Sequence, residues 1–295
     1  MIELRWLLPG SQCCVSAARS TTASVQSTFP WHTMWKKRQR RTRQSAPFPA
    51  AWRKILETRI PLYARLPAPD REELAGHIQV FLAEKNFEGC GGLAMTDEIR
   101  VSIAAHACVL LLHRNTDYYP ELQSILVYPS EFFVQTTEHS DSGIQHEGVE
   151  ARLGEAWENG AVVLAWDAVC GGAVDPEDGY NVALHEFAHQ LDFEDGRADG
   201  APLLDGGESR SLHESRHGAW ARVFTAEFEK LRARVEAGES SVLDEYGAED
   251  PAEFFAVATE SFFERPRELR EKHPALYEQL KGFYRQDPAQ WPAAT

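Results

Sequence analysis

The sequence predicts an α+β fold, in which a small central sheet packs on helices that carry the chemistry. Three observations point there. Two segments rich in β-branched and aromatic residues, Ser124–Val134 and Ala161–Trp166, sit in the middle of the chain. Apolar residues at helical spacing precede them. From Asn181 onward, helical signals dominate.

Ordered structure is expected from near Trp52. Pro69 and Asp70 open a helix whose Leu74, Ile78, Phe81 and Leu82 recur at helical spacing, and Gly89, Gly91 and Gly92 break the chain after it. Thr96 caps a second helix, with Asp97 and Glu98 at the positive end of its dipole, running to about His113. Pro129 marks an edge or a bend within Ser124–Val134, because it cannot donate to a ladder. Ala161–Trp166 forms the next strand and ends at a Gly171-Gly172 turn. A helix then spans about Asn181 to Asp192. A loop of Gly, Asp and Pro covers 195–207, a long amphipathic helix covers about 215–237, another starts at Asp250-Pro251, and the last ends near Gln286.

Composition narrows the function. The chain has 295 residues, 43% of them hydrophobic, enough for one substantial core. No run of eighteen apolar residues exists, so no membrane helix is expected. Residues 1–45 carry eight Lys/Arg and one Glu; the formal charge of −15 therefore leaves −22 for residues 46–295. So acidic a body argues against direct nucleic-acid binding, which needs a basic face. The five cysteines form no spaced framework, which suits a reduced, cytoplasmic protein. Residues 1–45 read as a disordered or misannotated extension, the first 33 being either disordered or preceded by a start codon placed too early with Met34 as the natural beginning, and residues 46–295 as a single domain.

His185-Glu-Phe-Ala-His189 is an HExxH motif. On a helix, residues four apart share a face, so both imidazoles reach one ion, while Glu186 points about 100° away and is free to hold a water. A second match, His213-Glu-Ser-Arg-His217, competes with it. Val182, Ala183, Leu184, Phe187, Ala188 and Leu191 surround the first motif with apolar side chains. The second has Arg216 between its histidines and Gly218 directly after, which marks an exposed helix start and a cation that repels a metal. The first motif is therefore the expected site. Catalytic zinc usually takes three protein ligands. Spacing leaves the third open between Glu253, in the first turn after Asp250-Pro251, and Glu260 two turns later; Glu253 could instead close a capping box with Asp250. Asp192 could orient a ligand histidine or sit exposed at the helix end.

The segment Asn181–Asp192, followed by Asp195-Gly196 and Asp199-Gly-Ala-Pro202, resembles the Mlc titration factor family of zinc peptidases. So do Tyr246–Val257 and Glu260-Ser-Phe-Phe263, with Lys85-Asn-Phe-Glu-Gly89, Tyr128-Pro129 and Phe132-Phe133 in support. The likeness covers about 55–290. The family in turn is similar to the catalytic domain of anthrax lethal factor. The resemblance implies a zincin-like metallopeptidase with one zinc ion held by His185, His189 and Glu253. It gives Glu186 the role of activating a zinc-bound water and Tyr246 that of presenting its hydroxyl to the substrate. The implied substrate is a peptide or protein, with aminopeptidase-type activity on small substrates. A different class of function is also implied: sequestering an Mlc-type transcription repressor. No membrane partner is expected. The strand Ala161–Trp166 is expected to offer its edge to an extended substrate.

Overall fold

The computed structural model describes residues 30–139, 145–157, 160–174, 179–204 and 210–292. Most of the first 45 residues therefore cannot be compared with the structure, but residues 30–44, read as part of an extension, form a helix, α1 (Pro30–Gln44). Arg40 anchors it. Its side chain is buried and pairs with Glu84 and Asp117, while Gln44 donates to the Tyr118 hydroxyl. The sequence hid this anchor because Arg40 is one of six similar cations and its partners lie more than forty residues away.

Helices α2 (Ala50–Arg59), α3 (Pro61–Arg65) and α4 (Ala68–Glu84) follow, then strand β1 (Asn86–Gly89) and helix α5 (Asp97–Val109). Thr96 caps α5 as expected, its hydroxyl accepting from the Ile99 amide, but the helix ends at Val109 rather than near His113. The segment Ser124–Val134 divides at Pro129 into β2 (Ser124–Tyr128) and the start of β3 (Phe132–His139), which pairs antiparallel with β4 (Gln145–Arg152). A short strand β5 (Gly154–Trp157) and β6 (Ala161–Ala165) come next.

One sheet has the order β1-β2-β6-β5, with β1, β2 and β6 parallel and β5 antiparallel at its edge. This corrects the expectation that Ala161–Trp166 supplies an edge. β6 is paired on both sides, and its unbroken apolar run is the composition of an interior strand rather than a half-exposed one. Gly171 and Gly172 are not a turn either; they lie inside α6 (Trp166–Val174).

Helices α7 (Val182–Asp192), α8 (Arg210–Glu236), α9 (Pro251–Glu264), α10 (Pro266–Lys272) and α11 (Pro274–Tyr284) complete a mixed α+β architecture, with eleven helices among the described residues. None is long and apolar enough to cross a membrane. Aromatic rings tie the layers together. Phe187 of α7 meets Phe81 and Tyr119 with centroids 5.8 and 5.3 Å apart. Phe254 and Phe255 of α9 meet Phe224 of α8, and Phe262 stacks on Tyr284 of α11. Each fully buried ring contributes about 2 kcal/mol. The rings anchor α7 to α4 and anchor α9 to α8 and α11, while Asn181 ties α7 to α9 through Glu260 and Glu264.

Candidate metal centre

Helix α7 is positioned from its first residue. The Asn181 side chain accepts from the Leu184 amide as an N-cap, and its Nδ2 donates to Glu264 of α9 at 2.9 Å. The Asn181 backbone amide donates to Glu260, also on α9. One asparagine thus starts the helix and sets its register against the neighbour. The other end is tied as well. Asp192 is fully buried and accepts from the Gly200 amide at 2.8 Å. Gly200, at φ +72°, lies so close to Pro251 at the start of α9 that a Cβ would come within 2.2 Å of its carbonyl oxygen. The Gly200 carbonyl accepts from Trp220 Nε1 of α8. Asp192 is therefore neither exposed nor hydrogen-bonded to a motif histidine; it ties the loop that joins three helices.

Between these ties the two motif histidines face α9. His185 Nε2 and His189 Nε2 are 3.2 Å apart, and Glu253 Oε2 lies 2.9 Å from the first and 3.4 Å from the second. The donor atoms of His185, His189 and Glu253 lie within 4.8 Å of one another, the only such cluster of three that could hold a metal among the described residues. Glu253 does not close a capping box. Asp250 alone caps α9, accepting from the amides of Ala252 and Glu253, and leaves the Glu253 carboxylate to face the histidines. Glu260 takes the opposite side of His185, its carboxylate 2.7 Å from Nδ1. The two glutamates that spacing could not separate thus occupy the two nitrogens of one imidazole.

The electrostatics follow from this sandwich. Burial disfavours a charged His185, but Glu253 and Glu260, one on each nitrogen, hold its pKa well above the usual histidine value. Burial likewise works against an ionised Glu253, and the hydrogen bonds from His185 and His189 overcome it, keeping that carboxyl well below the usual range. Glu260 is enclosed completely, and burial outweighs the same histidine to push its pKa up. On binding an ion the ring would give up its Nε2 proton, and the contact of Nδ1 with Glu260 would keep the remaining proton on Nδ1. Two imidazole nitrogens and a carboxylate oxygen form a donor set that suits zinc and other borderline divalent ions.

Glu186 is buried beside the cluster, and burial, partly relieved by the two histidines, raises its pKa to about 7. Strand β5 crosses directly over it. A Cβ at Gly154 would lie 2.3 Å from Glu186 Oε1 and 2.7 Å from Val182 Cγ2, so only glycine lets the strand approach. The sequence reading misses Gly154 and, although it starts the helix near Asn181, gives that asparagine no tie to α9. A lone glycine before a short β-prone run and an asparagine ahead of an apolar helix are the signals that mark them. Tyr246, its amide held by the Asp244 carboxylate, sets its ring 5.8 Å from the His185 ring and remains 44% exposed. Burial of its hydroxyl and the nearby Glu253 charge raise its pKa well above the usual value. The second motif lies on α8. The side chain of His213 falls outside the described residues, and His217 is half-buried on a helix that is largely exposed.

Comparison with known proteins gives the family of the chain. The profile of the family described as Glucose-regulated metallo-peptidase M90 matches residues 33–285. The chain is 39% identical over 261 residues to the uncharacterized protein slr2042 of Synechocystis, covering 88% of this chain and 91% of that protein. It is 32% identical over 237 residues to Mlc titration factor A of Klebsiella pneumoniae, covering 78% and 84%. The same identity over 244 residues relates it to Mlc titration factor A of Serratia proteamaculans, covering 81% and 88%. With its HExxH helix facing a glutamate of the next core helix, and with the family profile spanning all but the ends of the chain, this protein belongs to the M90 metallopeptidase family.

Proposed function

We propose that this protein is a zincin-like, zinc-dependent peptidase, with His185, His189 and Glu253 holding the ion. The observation that carries the reading is the convergence of those three side chains within 4.8 Å, with His185 fixed from behind by Glu260 and Glu186 buried alongside. Bound there, zinc would polarise a scissile carbonyl and bring the pKa of a water at its open position to about 7.

The remaining work belongs to the chain. Glu186 takes the proton from the attacking water and passes it to the leaving amine; its buried setting near the operating pH suits both directions of transfer. The Tyr246 hydroxyl stays protonated through the neutral range and donates to the developing oxyanion. Strand β5 ends the sheet, so an extended peptide pairing with its outer edge would pass over Glu186, where Gly154 leaves room. The exposed Tyr246 marks an open approach to the site, as aminopeptidase-type action on small substrates requires. Cys90, Cys108 and Cys170 are free thiols, in keeping with work in the cytoplasm.

A second reading draws on the relatives named Mlc titration factor A: the chain binds an Mlc-type repressor. One variant separates the two. Glu186→Gln should retain its metal and lose peptide turnover by about a thousandfold. Capture of the repressor that survives in this variant would mean that binding is independent of hydrolysis. Undiminished turnover would remove Glu186 from the mechanism.

A further inference from the structure

Six cations crowd into Lys36–Arg43, on a chain whose residues 46–295 are strongly acidic. The body buries one of them. Arg40 is 8% exposed and clamps α1 to the body through Glu84 and Asp117. Lys36 reaches Asp117 at 3.5 Å, an exposed pair of little strength. Lys37, Arg38 and Arg41 are exposed and form no ion pair among the described residues. With Arg40 facing inward, a turn of 100° per residue places Met34, Trp35, Arg38, Arg41 and Thr42 on the outward face, with the exposed Lys37 on the helix flank. Met34 at 72% and Trp35 at 62% are the most exposed large apolar side chains among the described residues. The outward face thus combines bare cations with an aromatic ring and a thioether, on a helix fixed to a folded body.

We propose that this face of α1 docks the protein on an anionic lipid surface. The charge is complementary to acidic headgroups, each cation near such a surface adding a similar increment of attraction. Tryptophan at the edge of a basic helix is the residue that settles at the boundary of headgroups and acyl chains. A nucleic acid would satisfy the cations but give the methionine no apolar medium, since most of its contacts are to phosphate and sugar. The acidic body restricts the contact to α1, so binding is peripheral and reversible by salt. The expectation of no membrane partner rests on the lack of a spanning segment, which a peripheral contact does not need.

Sedimentation of the full chain with vesicles tests it. The protein should pellet with phosphatidylcholine vesicles that contain phosphatidylglycerol, not with phosphatidylcholine alone, and release as salt is raised. Lys37→Gln with Arg38→Gln and Arg41→Gln should weaken binding by on the order of a hundredfold, with metal content and melting temperature unchanged. Met34→Ser with Trp35→Ser should weaken it again without reducing affinity for a DNA duplex. The proposal is overturned if anionic vesicles leave the protein in solution, if the triple variant binds as well as wild type, or if a DNA duplex at the same salt binds more tightly than the vesicles.

Discussion

The chain carries the same four-residue histidine spacing twice, and the two regions share little else. Ten of the eleven residues of α7 are buried, and its histidines face an equally buried helix, α9, in which twelve of fourteen residues are enclosed. On α8, between Ser215 and Glu236, only Trp220, Phe224 and Leu231 are buried. Spacing puts two imidazoles on one face of either helix. What distinguishes α7 is a neighbour that brings one carboxylate to the Nε2 atoms of both histidines and another to Nδ1 of His185. A metal site is made by the packing between helices, and HExxH is half of it.

That comparison can be broken one neighbour at a time. Tyr246→Phe removes the hydroxyl beside the site without touching α7, and should lower kcat by about a hundredfold or more, with zinc retained. A variant with normal kcat would take Tyr246 out of the chemistry. Gly154→Ala sets a methyl against Glu186 and Val182. Peptide turnover should fall by about a hundredfold, as misplacement of a reacting group by about an ångström typically produces. Wild-type turnover there would show that β5 can retreat at no cost to catalysis. Glu260→Gln loosens His185 from behind, and titration against a competing chelator should show a fall of roughly ten- to a hundredfold in zinc affinity. The smallest effect is expected on α8, where His217→Ala should leave turnover and zinc affinity as they are.

The parts legible in the sequence were those with a local signature. HExxH in an apolar surround singles out His185, Glu186 and His189, two of which the fold gathers with Glu253, and Asp250-Pro251 gives the start of α9 to the residue. The choice between Glu253 and Glu260 was not local. Both lie on the face of α9 toward α7, and which nitrogen of His185 each meets depends on the register between the helices, set by Asn181 through Glu260 and Glu264. Sheet order was hidden for a similar reason. β5 is four residues long, too short for a period to show, so the sequence points to β6 as the edge that β5 supplies. Arg40 was invisible because burial, not residue type, separates it from its five neighbouring cations.

The central claim is that α9 completes the metal site through Glu253. Elemental analysis of purified wild type, Glu253→Ala and His217→Ala tests it most directly. Close to one zinc per chain is expected for wild type and for His217→Ala, and little or none for Glu253→Ala. Zinc retained by Glu253→Ala, or lost from His217→Ala, would contradict the account.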